Sequence, residues 1–156
     1  MTKSQHMLDV EQFMLQAGQV VRHTPEKPTD LELCRITALI HEEFLELCRA
    51  SGVQITLQVG NDLALEHEGN QFSYAVTGPF NLIEYADACG DIRVTGTAAL
   101  SAAGIPDLPL MEEIDSSNLT RFGPGSYRRV DGKWMKGPTF APPRIAEVLG
   151  LEGTCS

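Results

Sequence analysis

The sequence predicts an all-α fold, a bundle of four to five helices with a small β arm inserted at about residues 53–77. Three observations lead there. Apolar residues recur at helical spacing in separate stretches bounded by capping residues, glycine or proline. Between the second and third of these, Val53-Gln-Ile-Thr-Leu-Gln-Val59 alternates apolar and polar residues, which is strand spacing. Finally, apolar positions on the second and third helices go nearly all round: Leu33, Ile36, Leu39, Ile40, Phe44, Leu45 and Leu47, then Ile83, Tyr85, Ile92 and Val94. Such helices need more than one neighbour, so a homodimer or homotetramer is expected.

The first helix is read over Leu8–Val21, with Leu8, Phe13, Met14, Ala17, Val20 and Val21 near helical spacing; His23-Thr-Pro-Glu-Lys-Pro then breaks it. Thr29-Asp-Leu-Glu32 has the form of a capping box, and the helix it starts runs to Ser51, where Gly52 is placed to end it in a left-handed turn. Gly60-Asn61-Asp62 is turn chemistry and Gln71–Val76 a partner strand. An isolated hairpin is marginal in water, so the arm should pack on the bundle or on another subunit. Gly78-Pro79 closes it, and Asn81-Leu-Ile-Glu84 suits the start of a third helix, rich in alanine, that Gly104 and Pro106 stop near Ala103. A fourth helix covers Leu108–Leu119 and a short last one Arg144–Leu149, within a segment rich in Gly, Pro and Lys/Arg.

At 156 residues a single domain spanning 1–156 is expected. No apolar run approaches the ~20 residues of a bilayer crossing, and the first residues have no signal-peptide character, so no membrane partner is expected and a cytoplasmic location is. A net charge of −9 disfavours nucleic acid, whose phosphates are held by clustered cations. That charge is uneven: residues 1–118 carry −12 and residues 119–156 carry +3. Cys34, Cys48, Cys89 and Cys155 form no C-x-x-C, and the four histidines lack ligand spacing, which disfavours zinc. Cys34 and Cys48, fourteen residues apart on one helix and so ~21 Å from each other, cannot pair.

The acids are patterned. Glu42, Glu43 and Glu46 lie at roughly 0°, 100° and 40° on the second helix, and Glu84, Asp87 and Asp91 at roughly 0°, 300° and 340° on the third. One such cluster usually faces water or pairs with arginines, here Arg35, Arg49 and Arg93. Two, in apolar surroundings on consecutive helices, point to a hard divalent cation with oxygen ligands, Mg²⁺ or Mn²⁺.

Glu43-x-x-Glu46, preceded by Glu42, resembles the E-E-x-x-E motif of the all-α nucleoside triphosphate pyrophosphatases, a superfamily that includes MazG proteins, dimeric dUTPases and phosphoribosyl-ATP pyrophosphohydrolase. Glu84-x-x-Asp87 fits the short form of the second motif, E-x-x-D. Asp87-Ala-Cys-Gly-Asp91 fits the longer D-E-x-x-D form, with Ala88 where a Glu usually stands. The order of preference in that motif is Asp87, Asp91, Glu84. Ala86–Ala98, with its Gly-Thr-Ala, is similar to phage and bacterial MazG-like proteins. Glu113–Arg121 resembles their S-N-x-x-K segment with Arg at the basic position, and Asp131-Gly-Lys-Trp-Met-Lys136-Gly-Pro-Thr-Phe-Ala-Pro-Pro143 resembles their tail. The resemblance covers residues 8–50 and 80–150, leaving the β arm outside.

It implies a metal-dependent nucleoside triphosphate diphosphohydrolase releasing monophosphate and pyrophosphate. Glu43, Glu46, Asp87 and Asp91, with Glu84 the remaining alternative, would hold Mg²⁺ or Mn²⁺, and Glu42, or Glu43 where metal does not fully engage it, would be the general base. Asn118, Arg121, Lys133 and Lys136 can hold phosphate oxygens, though Asn118 also suits a helix cap and the lysines a solvated surface. Trp134 suits either a base stack or a plug at the bundle end. The phage-like tail is similar to that of MazZ-type enzymes, which makes dGTP or GTP the expected substrate and a viral host's cytoplasm the setting. dUTP and phosphoribosyl-ATP are the rivals within the class. A catalytically silent nucleotide- or metal-binding helical module is the alternative outside it, favoured by Ala88.

Overall fold

A computed structural model describes residues 2–58, 71–130 and 132–151. The predicted turn at Gly60-Asn61-Asp62, Val59 of the alternating strand, Asp131 of the tail motif, His67 and Cys155 lie outside the described residues. The elements are α1 (Gln5–Gln16), α2 (Asp30–Ser51), β1 (Val53–Gln58), β2 (Gln71–Val76), α3 (Leu82–Ala102), α4 (Asp107–Leu119), a 3₁₀ turn (Thr120–Phe122), β3 (Tyr127–Arg128), β4 (Trp134–Met135) and α5 (Ile145–Val148). The predicted all-α class with an inserted β arm is what these elements form. They fall into two compact units, residues 29–96 and residues 1–28 with 97–156.

In the first unit, α2 begins as its sequence demands. The Thr29 hydroxyl accepts the Glu32 N–H at 3.3 Å while the Glu32 carboxylate accepts the Thr29 N–H at 2.7 Å, a complete capping box. Gly52 ends the helix at φ 67°, and a β-carbon there would collide with the Gly78 carbonyl oxygen. That close approach starts the arm, because Thr77 and Gly78 both donate to the Gly52 carbonyl, at 2.9 and 3.1 Å. β1 and β2 are antiparallel, with Val53 opposite Val76, Ile55 opposite Tyr74 and Leu57 opposite Phe72. The alternation read in the sequence therefore collects one apolar face across both strands. On β2 that face is open, with Tyr74 63% and Val76 76% exposed. Asn81 caps α3, its side-chain oxygen accepting the Ile83 N–H at 3.1 Å.

In the second unit, α1 starts and stops earlier than its apolar spacing suggests. Ser4 is the N-cap, accepting the Met7 N–H at 3.1 Å, and the chain leaves the helix at Ala17 with Gly18 at φ 70°, so Val20 and Val21 lie beyond it. Met7, Val10 and Met14, at i, i+3 and i+7, form its buried stripe. Glu11 is buried beside them because Lys3 reaches it at 2.6 Å. The segment after α1 runs along the end of α3: Arg22 N–H donates to the Ser101 carbonyl at 3.0 Å, and its guanidinium to the Ala102 carbonyl at 2.7 Å. Gly104, at φ 71°, lets the Thr24 carbonyl pass where a β-carbon would block it.

One link closes this unit across the chain. The Asp107 carboxylate accepts the Ser4 N–H at 2.9 Å and the Ser4 hydroxyl. Burial alone would raise the Asp107 pKa, but the donors from Ser4 and the Leu108 N–H outweigh it and hold the carboxyl below its ordinary value. An acid depressed on folding stabilises above its unfolded pKa and loses that contribution as pH falls through the folded one. Asp107→Ala is expected to cost about 1–2 kcal/mol at neutral pH, read by denaturant melts. The difference from the parent protein should narrow as pH falls through the folded pKa of Asp107, which lies below the ordinary aspartate value. A cost that persisted at low pH would show that the ionised carboxylate is not its source.

Candidate active site: an acidic face on two helices

Within residues 29–96, α2 carries Glu42, Glu43 and Glu46 and α3 carries Asp87 and Asp91. Glu43 is the half-buried member; Glu42, Glu46 and Asp87 are exposed and Asp91 is half-buried. The Glu43 pKa is raised above the ordinary carboxylate value, first by burial and then by the charges of Asp91, Glu46, Glu42 and Asp87 in that order. The structure thus brings five of the six acids read in the sequence into one electrostatic neighbourhood centred on Glu43. Glu84 is not among the charges acting on Glu43. It stands in the first turn of α3, where an acid complements the helix dipole.

Asp91, four residues beyond Asp87, is the stronger of the two α3 charges on Glu43. Ala88, where the resembling motif has Glu, is buried at 3% exposure. A carboxylate there would pay a desolvation penalty that alanine avoids. Among the three arginines that could have neutralised these clusters, Arg49 reaches Glu46 at 3.3 Å. That pair is exposed on both sides, so it adds little. Among the described residues no group of three His, Cys, Asp or Glu side chains is closed tightly enough to hold an ion as it stands. The donor chemistry nevertheless suits a hard cation: carboxylate oxygens alone, with Glu43 raised in pKa by its burial and by the anions beside it.

The predicted phosphate-holding residues belong to the other unit. Asn118 is exposed near the end of α4, Arg121 lies in the 3₁₀ turn, and Lys133 and Lys136 flank β4. The β3–β4 pair, Tyr127 opposite Met135 and Arg128 opposite Trp134, falls in the segment rich in Gly, Pro and Lys/Arg, where no strand was read in the sequence. The Trp134 indole N–H donates to the Arg121 carbonyl at 3.1 Å and its ring lies 5.4 Å from that of Phe122. Phe140, which the sequence reading passed over, sits under both the Arg121 guanidinium, at 5.6 Å, and the Lys136 ammonium, at 3.9 Å. Its signal was an aromatic residue four positions after a lysine in a basic segment.

An all-α chain with facing acids on two long helices is a member of the MazG-like class of nucleotide pyrophosphatases. The family model described as phosphoribosyl-ATP pyrophosphohydrolase, PRA-PH, matches residues 10–118, and the chain belongs to that family. No curated protein matches the chain. Membership makes the chemistry that of a hydrolase acting on the pyrophosphate bond of a nucleotide. Among the described residues no helix is long and apolar enough to cross a membrane.

A carboxylate whose pKa is raised on folding opposes stability when ionised, and the penalty disappears as pH falls through its folded pKa. Glu43→Gln is therefore expected to raise the melting temperature of metal-free protein at pH 7, on the order of 1–2 °C for a group still half in water. The gain should shrink towards zero below about pH 4. A destabilised variant at pH 7 would contradict the crowding of charge around Glu43.

Proposed function

We propose that the protein cleaves a nucleoside triphosphate to the monophosphate and pyrophosphate in the presence of Mg²⁺ or Mn²⁺, with residues 1–156 acting as one domain. The observation that supports this most directly is the crowding of Asp91, Glu46, Glu42 and Asp87 around Glu43, inside the residues that match the family. Glu43, Glu46, Asp87 and Asp91 would hold the metal, with Glu84 the reserve on α3. When bound, the cation supplies charge neutralisation for the phosphate chain and acidifies a coordinated water. Glu42, which is exposed, would accept a proton from the attacking water, as would Glu43 whenever its oxygens are free. Its neighbours help Glu43 in that role, since a raised proton affinity makes a carboxylate a better base.

The substrate proposed first is dGTP or GTP, the reading the phage-like tail favours. The family description favours a second, phosphoribosyl-ATP, which loses pyrophosphate at the same kind of bond. We also propose that the working unit is a homodimer or homotetramer. Of the described residues 29–96, Ala50 and Ala88 are the buried apolar ones, whereas Leu31, Leu82 and Ile83 are 81%, 68% and 82% exposed. An apolar surface of that extent needs cover.

A panel of ribo- and deoxynucleoside triphosphates, including dUTP, and phosphoribosyl-ATP, assayed with Mg²⁺ or Mn²⁺, should release pyrophosphate and no orthophosphate. Glu46→Gln should lose on the order of 100-fold or more in rate. Silence with every nucleotide would leave the silent binding module as the reading, and full activity in Glu46→Gln would overturn the metal-holding role given to Glu46. Light scattering should return a multiple of the chain mass at micromolar concentration; a monomer would contradict the assembly.

A further inference from the structure

The basic C-terminal segment lies beyond the residues that match the family. Arg121 and Lys136 share one aromatic ring, Phe140, at 5.6 and 3.9 Å. Neither makes a carboxylate contact among the described residues. The Arg121 Nε is buried and has no hydrogen-bond partner there. Like charges brought together need either an anion between them or a rigid frame to resist their separation. The frame is present. The Trp134 indole N–H holds the Arg121 carbonyl at 3.1 Å, the Phe122 ring lies tilted against that of Trp134, and the Ala141 N–H donates to the Thr120 hydroxyl at 3.0 Å, fixing the chain beside Phe140. A forked guanidinium and a point-charge ammonium gathered at one apolar ring, with Lys136 exposed to solvent, offer donors of the kind that hold the oxygens of a phosphate chain.

We propose that the Arg121–Phe140–Lys136 stack is a binding site for a short polyphosphate, and that it binds without the metal site. The choice of polyphosphate among anions rests on the nucleotide reading above. Two sources share this chemistry, the triphosphate of a nucleotide and the released pyrophosphate.

Trp134 is the only tryptophan and is bonded to Arg121, so its fluorescence reports on the stack. Titration of the full chain with inorganic pyrophosphate in EDTA should give a saturable change. Lys136→Gln, at an exposed position, should weaken it about tenfold, and Arg121→Gln together with Lys136→Gln should abolish it, with circular dichroism unchanged. A Glu43→Gln, Glu46→Gln double variant should keep the response. A tighter response to a nucleoside triphosphate than to pyrophosphate marks substrate as the source, and the reverse marks product; either supports the site. The proposal is overturned by no response to pyrophosphate, by an unchanged response in Lys136→Gln, by loss of the response in the carboxylate variant, or by an equal response to sulfate at matched ionic strength. Saturation by a single-stranded oligonucleotide at a lower phosphate concentration than pyrophosphate would overturn it in favour of nucleic acid. Absent turnover with an intact fluorescence response would sink the enzymatic reading and leave this one standing.

Discussion

Carboxylates repel, and this chain gathers four of them around Glu43 with little basic charge to offset them. The apolar sequence on either side keeps Glu43 half out of water, which strengthens every one of those repulsions. Helices do not hold such a face for stability. Its upkeep falls to the parts that can supply it: the capping box that anchors α2, the Gly52–Gly78 contact that ends it, and the Asn81 cap that starts α3. These are local devices, each fixing one helix end, and together they set which residues of α2 and α3 meet. Cations bound at this face, as proposed above, would relieve that repulsion.

The basic segment obeys a different logic. Its cations are separated from the acids in sequence and are supported by rings, carbonyls and hydroxyls. Glu113 is the acid that does enter this region, and it is used to moor the chain. It accepts the Arg144 N–H at 2.8 Å, and that bond, before the guanidinium beside it, holds its carboxyl below the ordinary value. Arg144 is thereby spoken for, with Glu147 as its second partner at 2.9 Å, while Arg121 and Lys136 are left to their shared ring.

Much of this was legible in the sequence because the signals were local. Thr29–Glu32, Gly52, the alternation of 53–58 and Asn81 each act within a few residues, and each lies where its chemistry placed it. Helical spacing also put the two acidic clusters on faces. What spacing cannot say is which α3 acid meets Glu43, because that depends on how two helices are set against each other; hence Asp91 ranks ahead of Asp87 and Glu84 stands aside. The end of α1 was misread for a related reason. Val20 and Val21 keep the apolar rhythm, but Gly18 at positive φ has already turned the chain. Phe140 escaped notice because its role is to hold cations, a role visible only once Arg121 and Lys136 share its ring.

The bond between Ser4 and Asp107 joins residues 103 positions apart, whereas the ties of the basic segment span 13 to 31. Closing a long loop costs only slightly more entropy than closing a short one, yet it must wait until both ends exist. On a ribosome, α1 is therefore made well before its tie to Asp107 can form. The acceptor for the Ser4 hydroxyl arrives after α2, the arm and α3 have been synthesised. The apolar stripe of Met7, Val10 and Met14 waits through that interval, which makes α1 a vulnerable part of the fold during biosynthesis.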